Sequence, residues 1–221
     1  MELQELESRL KQYNFYHCIP LTPQISTPGW ADAVPGQNVV LGVLRSLDLH
    51  GKRVLDIGCG PADLLSYLPE VDYVGIDLSP QYIQAARARY GNRATFLCEN
   101  VADTVVREPA SADVVTATGV LHHLNDVEAR RLLEVARQAL KPGGRFVALD
   151  GVWHPGQSPV ARWVLRRDRG RFIRTADAYV ALARDVFGSV ASHVRHDMMR
   201  IPYSLHIMVC TADHCVPGEG P

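Results

Sequence analysis

Three acids and two glycines lie close enough in the chain to grip a charged ligand together. Asp56-Ile57-Gly58-Cys59-Gly60-Pro61-Ala62-Asp63 follows the apolar run Arg53-Val54-Leu55, and a second run, Tyr73-Val74-Gly75-Ile76, ends on Asp77. Glycine lets the backbone turn sharply and approach a ligand closely. An acid ending the second run is placed to accept hydrogen bonds from both hydroxyls of a ribose. The pair therefore suits a nucleoside-containing cofactor. Further along, His122-His123 follows a third apolar run, and His154 follows a fourth. An imidazole titrates near neutral pH, so His122, His123 and His154 suit either proton acceptance or simple loop hydrogen bonding. The histidines lack the cysteine or carboxylate spacing of a metal site, and none is expected.

The elements that must hold these residues alternate. Strand-like residues 53–57, 73–77, 94–98, 113–117 and 145–149 are interleaved with helical patterns at 62–68, 80–89 and 126–140. Ser79-Pro80 reads as an N-cap followed by proline in the first turn. Such alternation predicts parallel βαβ units, a doubly wound α/β fold with helices on both faces of the sheet. Ligands then sit at the carboxyl ends of the strands, where the acids and histidines above are found. Residues 1–50 read as an N-terminal helical lead or lid, and 51–221 as one core domain. Within that core, about 155–187 reads as an arginine-rich helical insertion, and 190–194 and 205–211 as two closing strands.

With 23 basic and 24 acidic residues in 221, the net charge is −1, which disfavours a bulk grip on nucleic acid or an anionic membrane. No apolar run approaches the roughly 18 residues of a membrane span. The acidic start lacks a signal peptide's apolar core. Five scattered cysteines, never spaced as C-x-x-C, suggest no disulfide framework. Together these predict a soluble cytoplasmic protein whose partner is a small molecule. The oligomeric state stays open.

A dinucleotide would need a third glycine in the first loop, where helix and pyrophosphate meet. Asp63 occupies that place and would repel a pyrophosphate. A cofactor without phosphates but with a cationic tail fits better, and S-adenosylmethionine is such a molecule.

The motifs agree. Val54-Leu55-Asp56-Ile57-Gly58-Cys59-Gly60 and Val74-Gly75-Ile76-Asp77-Leu78-Ser79 resemble motif I and the following acidic motif of class I S-adenosylmethionine-dependent methyltransferases. The likeness continues through residues 113–124 and through Ala139-Leu140-Lys141-Pro142-Gly143-Gly144-Arg145-Phe146, covering roughly 50–150 in order. It implies a seven-stranded, mostly parallel sheet whose last strand is antiparallel. It also implies that Asp56 and the backbone of Gly58, Cys59 and Gly60 hold the amino-acid end of the cofactor. Asp77 would bind the ribose and Leu78 would pack on the adenine. Asn100, with Val101 beside it, would meet the adenine amino group, and Thr118 would lie at the methyl donor.

Methyl transfer is an in-line displacement that needs alignment, water exclusion and sometimes a base, for which His122 is the first candidate. The chain lacks the acid–proline–proline–aromatic signature of nucleic-acid amine methyltransferases and the Pro-Cys of cytosine-C5 enzymes. It also lacks an acid ending the fourth strand, as metal-dependent catechol-type enzymes have. That leaves O-, N- or C-methylation of a small molecule. Tyr16 and Trp30 could lid the site, Tyr203 falls on the substrate side, and Arg171 belongs to five arginines in the nine residues 166–174. Such a run is either a solvated face or a grip on an anionic substrate. Two rival functions remain at this level. One is a tRNA-modifying or modified-cofactor transferase, which the arginine run 166–174 motivates and the near-neutral charge opposes; residues 15–21 and 27–30 also resemble the lead of a tRNA wobble-uridine carboxymethyltransferase. The other is a non-catalytic S-adenosylmethionine-binding module.

Overall fold

A computed structural model of the chain describes residue 44 and residues 48–100, 108–196 and 202–212. The expected helical lead over 1–50 therefore lies outside the described residues, apart from Leu44 and residues 48–50. Leu44 is helical and buried.

The central sheet contains β1 (Arg53–Ile57), β2 (Asp72–Asp77), β3 (Thr95–Cys98), β4 (Ala112–Thr118), β5 (Leu140–Trp153), β7 (Ser189–Arg195) and β8 (Leu205–Thr211). A two-residue strand, β6 (Arg174–Thr175), pairs with the end of β5. The order across the main sheet is β3-β2-β1-β4-β5-β8-β7. β1 to β5 pair in parallel, whereas β8 runs antiparallel to both β5 and β7. This is the α/β architecture expected, with the last strand reversed.

The helices are α1 (Pro80–Tyr90), α2 (Asp126–Ala139), α3 (Pro159–Arg166) and α4 (Ala176–Arg184). α1 begins at Ser79, whose side chain accepts from the Tyr82 amide. α2 begins at Asn125 in a reciprocal capping box with Glu128. Such caps satisfy amides that lack a partner in the first helical turn. The alternation of side chains along a strand divides the core in two. Phe146 and Ala148 pack with α2 and α4, while Val147 faces the layer formed with α1, Leu65 and Leu44.

Three expectations change. Residues 62–68 form only a short 3-10 turn, Asp63–Tyr67, entered through left-handed Ala62 and left through extended Leu68. Leu68 precedes Pro69, and a residue before proline is biased away from helix. β5 runs beyond 145–149 to Trp153, because β8 pairs with it as far as Gly151 and β6 with its last two residues. The 155–187 region is two helices, not one. Between them Asp168 accepts from the Gly170 amide, and Arg174 turns back into β6.

Candidate active site

The loop after β1 is shaped by left-handed backbone at Gly58 (φ 70°), Gly60 (φ 55°) and Ala62 (φ 60°). The Gly58 and Cys59 amides both donate to the Ile76 carbonyl, at 2.7 and 3.0 Å, which ties the loop to β2. A Cβ on Gly58 would stand 2.5 Å from Val120 Cγ2, so glycine also permits the loops after β1 and β4 to meet.

Asp77 ends β2 and organises the same loop. Its Oδ2 accepts from the Gly60 amide at 2.9 Å and its Oδ1 from the Ser79 amide at 2.8 Å. An ionised carboxylate offers about four lone-pair sites, so two remain for a ligand. Next to it Leu78 leaves 65% of its surface exposed, an apolar platform at the strand end. Asn100 is exposed beyond β3, and Thr118 is half-buried at the end of β4.

Asp56 lies deeper. It is buried, with Oδ2 accepting from the Tyr73 hydroxyl at 2.6 Å and Oδ1 from Thr116 at 2.7 Å. Burial pushes its carboxyl up to about 6 against the pull of those two hydroxyls, and the nearby Asp77 charge adds to the rise. Its oxygens thus brace β1 to β2 and β4 from beneath the loop. The Cys59 thiol is also turned inward, and a Cβ on Gly75 would stand 2.8 Å from its Sγ. Burial, followed by the charges of Asp56 and Asp77, drives the thiol's pKa far up, so the side chain is a neutral packing group. Asp63 pairs with Arg89 of α1, which offsets the charge the sequence reading assigned to the cofactor's cation.

A second constellation occupies the carboxyl ends of β4 and β5. His122 is buried in a 3-10 turn, Leu121–His123. Its Nδ1 lies 2.7 Å from Asp150 Oδ1, and its amide donates to the same oxygen at 3.1 Å. Its Nε2 faces Asp168 Oδ1 at 3.6 Å. The side chains of His122, Asp150 and Asp168 are 2%, 1% and 2% exposed. The Tyr203 hydroxyl donates to Asp168 Oδ2 at 2.6 Å.

The residues expected to do acceptor chemistry are distributed unequally. His123 is half-buried with its ring 4.2 Å from that of His122. His154 is exposed in the loop after β5, edge-on to His196, away from this cluster's hydrogen bonds. Tyr203, expected to face substrate, is buried with Val164 and Leu165 and spends its hydroxyl on Asp168. The arginine run also divides. Arg171 is exposed, but Arg174 is inward, bonded to Asp126 and to the carbonyls of Leu121, Leu124 and Phe172. Tyr16, Trp30 and Val101 lie outside the described residues. Asp150, Asp168, Arg174 and Tyr73 escaped the sequence reading. Only Asp150, an acid ending an apolar strand as Asp77 does, carried a signal that could have found it.

Residues 55–146 match the family model described as a methyltransferase domain. A ubiquinone biosynthesis O-methyltransferase of Idiomarina loihiensis is 35% identical over 103 residues, 44% of this chain and 42% of that protein. The match therefore spans less than half the length of this curated relative. Haemonchus contortus phosphoethanolamine N-methyltransferase 2, solved with S-adenosyl-L-methionine, superimposes with a TM-score of 0.67 at 17% identity. That alignment covers 96% of this chain and 59% of the other. The cyclase SpnF superimposes with a TM-score of 0.68 at 13% identity, covering 94% and 92%. One fold thus carries different chemistries, and the site must decide between them.

Proposed function

We propose, from the premise that this chain belongs to the class I S-adenosylmethionine-dependent methyltransferase family, that it moves the methyl group of S-adenosylmethionine to an oxygen, nitrogen or carbon nucleophile of a small molecule. The observation that carries this reading is Asp77. Two backbone amides hold its carboxylate still, and lone pairs remain for the two ribose hydroxyls. The rest of the donor set fits the same cofactor. Leu78 offers an apolar face to the adenine and Asn100 a carbonyl oxygen to its amino group. The backbone of Gly58, Cys59 and Gly60 borders the amino-acid end, with the Asp56 carboxylate behind it.

The bound cofactor supplies a methyl carbon already activated by its sulfonium. The chain's residues hold, orient and keep water out, which is most of what an in-line displacement requires. Asp77 fixes the nucleoside, and the left-handed loop fixes the opposite end of the ligand. The loop after β4, with Thr118 and His123, borders the acceptor. Arg171 is exposed one residue before the backbone bond from Phe172 to His122, which places a cation beside that loop. An acceptor with a hydroxyl nucleophile and a carboxylate is therefore the first to try. The hydroxyl also follows the O-methyltransferase named above.

The test is transfer of labelled methyl from S-adenosylmethionine to hydroxylated aromatic acids and their neutral amides. Label on the acid, with a higher KM for the amide, supports the reading. Tight S-adenosylhomocysteine binding without label on any O-, N- or C-acceptor would mark a binding module instead.

A further inference from the structure

His122 has a carboxylate at each ring nitrogen. Asp150 of β5 meets Nδ1, and Asp168 of the segment between α3 and β6 meets Nε2. The His123 ring lies tilted beside it, and Arg174 holds the neighbouring carbonyls of Leu121 and Leu124. The segment presses closely on the ring. A Cβ on Gly170 would stand 2.0 Å from His122 Cδ2, and the Phe172 amide donates to the His122 carbonyl at 2.9 Å.

Asp168 is itself held at both oxygens. Oδ1 accepts from the Gly170 amide at 2.7 Å and Oδ2 from the Tyr203 hydroxyl at 2.6 Å. Both donors are neutral, and the cationic partner facing its buried charge within this network is His122. A neutral imidazole donating to Asp150 through Nδ1 would turn the Nε2 lone pair on the Asp168 carboxylate. Two like-charged regions cannot sit so close in a dry site without cost. A proton on both ring nitrogens removes the conflict.

We propose that His122, as an imidazolium held between Asp150 and Asp168, is a clasp that closes residues 167–171 over the carboxyl ends of β4 and β5 and releases them when it loses its proton. Asp150 and Asp168 are then positioning residues, and in the closed form His122 is not the acceptor's base. Burial opposes charging the ring, as does Arg174, but the bond and charge of Asp150 and the charge of Asp168 outweigh both and raise its pKa. The clasp is therefore complete below the ordinary histidine range and fails as pH rises through the elevated value. Arg174 is the fixed end of the segment, because it is bonded to Asp126 and to three carbonyls. That the covered mouth is the acceptor side rests on the methyl-transfer reading; the clasp does not.

The segment carries its own probe, since Arg167, Arg169 and Arg171 are trypsin sites. Cleavage of the full chain is followed from pH 6 to 9 and divided by cleavage of a free peptide of the same residues. The expected result is a normalised rate that rises tenfold or more with a midpoint above 6.5. Asp168→Asn should be cut rapidly with no pH step while still binding S-adenosylhomocysteine. A flat wild-type profile, or a step retained in Asp168→Asn, overturns the proposal. If Asp168→Asn does not fold, the wild-type His122 ring titration by NMR decides. A midpoint above 6.5 shared by the Gly170 and Phe172 amides supports the clasp; a midpoint at or below 6.5, or amides that do not share it, overturns it. No outcome depends on turnover, so failure here is separate from failure of the methyl-transfer reading.

Discussion

The β1–β2 end of the sheet and the β4–β5 end solve the same problem of placing charge in opposite ways. At β1–β2 the working carboxylate, Asp77, is half-buried, is held by amides from its own neighbourhood and keeps lone pairs for a visitor. At β4–β5 two carboxylates and an imidazole are sealed from solvent and satisfy one another. The first arrangement suits the binding of something external, as proposed. The second is built to hold the protein to itself. Exposure separates the two more clearly than residue type, since each is an acid-rich strand end in a parallel sheet.

If that contrast is right, the two ends fail differently when cut. The largest effect should come from Asp150→Ala, which strands the amide and ring N–H of buried His122. Breaking a buried pair from one side costs about 3–5 kcal/mol. Urea unfolding should show that loss, while S-adenosylhomocysteine affinity of the folded fraction stays within a few-fold of wild type.

Next comes Asp56, whose carboxyl rises from 3.8 to about 6 on folding. A raised acid pKa means that the folded state binds the extra proton, so stability falls as pH climbs from about 4 through 6. At about 1.4 kcal/mol per pKa unit, wild type should lose on the order of 3 kcal/mol over that window. Asp56→Asn should lack this component, so the difference between the two unfolding curves should widen in the mutant's favour with rising pH. A difference independent of pH would break the assignment.

Asp77→Ala removes the proposed ribose acceptor from a partly open site. It should weaken S-adenosylhomocysteine about 100-fold by calorimetry, close to 3 kcal/mol, with under about 1 kcal/mol lost in urea. An equal loss in both assays would erase the distinction between the ends. The smallest effect is expected for Gly170→Ala, whose methyl overlaps the fixed His122 ring. Overpacking of this kind costs about 1–3 kcal/mol, and tryptic cleavage at Arg169 and Arg171 should quicken.

The same contrast explains what the sequence revealed. Asp56, Gly58, Gly60 and Asp77 lie within two consecutive strands and their loops, so spacing alone brings them together. The mostly parallel α/β class followed too, because apolar strand runs alternate with helical patterns along the chain. His122, Asp150, Asp168 and Tyr203 come from four separate segments. Nothing in their spacing says that they meet, which is why Tyr203 was expected beside substrate and lies under Asp168 instead. The arginine run misled for a related reason. Its composition suggested a solvated face or a grip on an anionic substrate, but Arg174 is an internal clamp and Gly170 a point of close packing, roles set by the facing loop and not by local pattern.

We propose that the β1–β2 end receives S-adenosylmethionine through Asp77 and the glycine loop. The most direct measurement is a ¹⁵N–¹H NMR titration of the full chain with S-adenosylhomocysteine. Saturable shifts centred on the amides of Gly58, Cys59, Gly60, Leu78 and Ser79 are predicted, with Gly170 and Phe172 affected less. Absence of saturable binding, or shifts centred elsewhere with the glycine loop silent, would contradict the account.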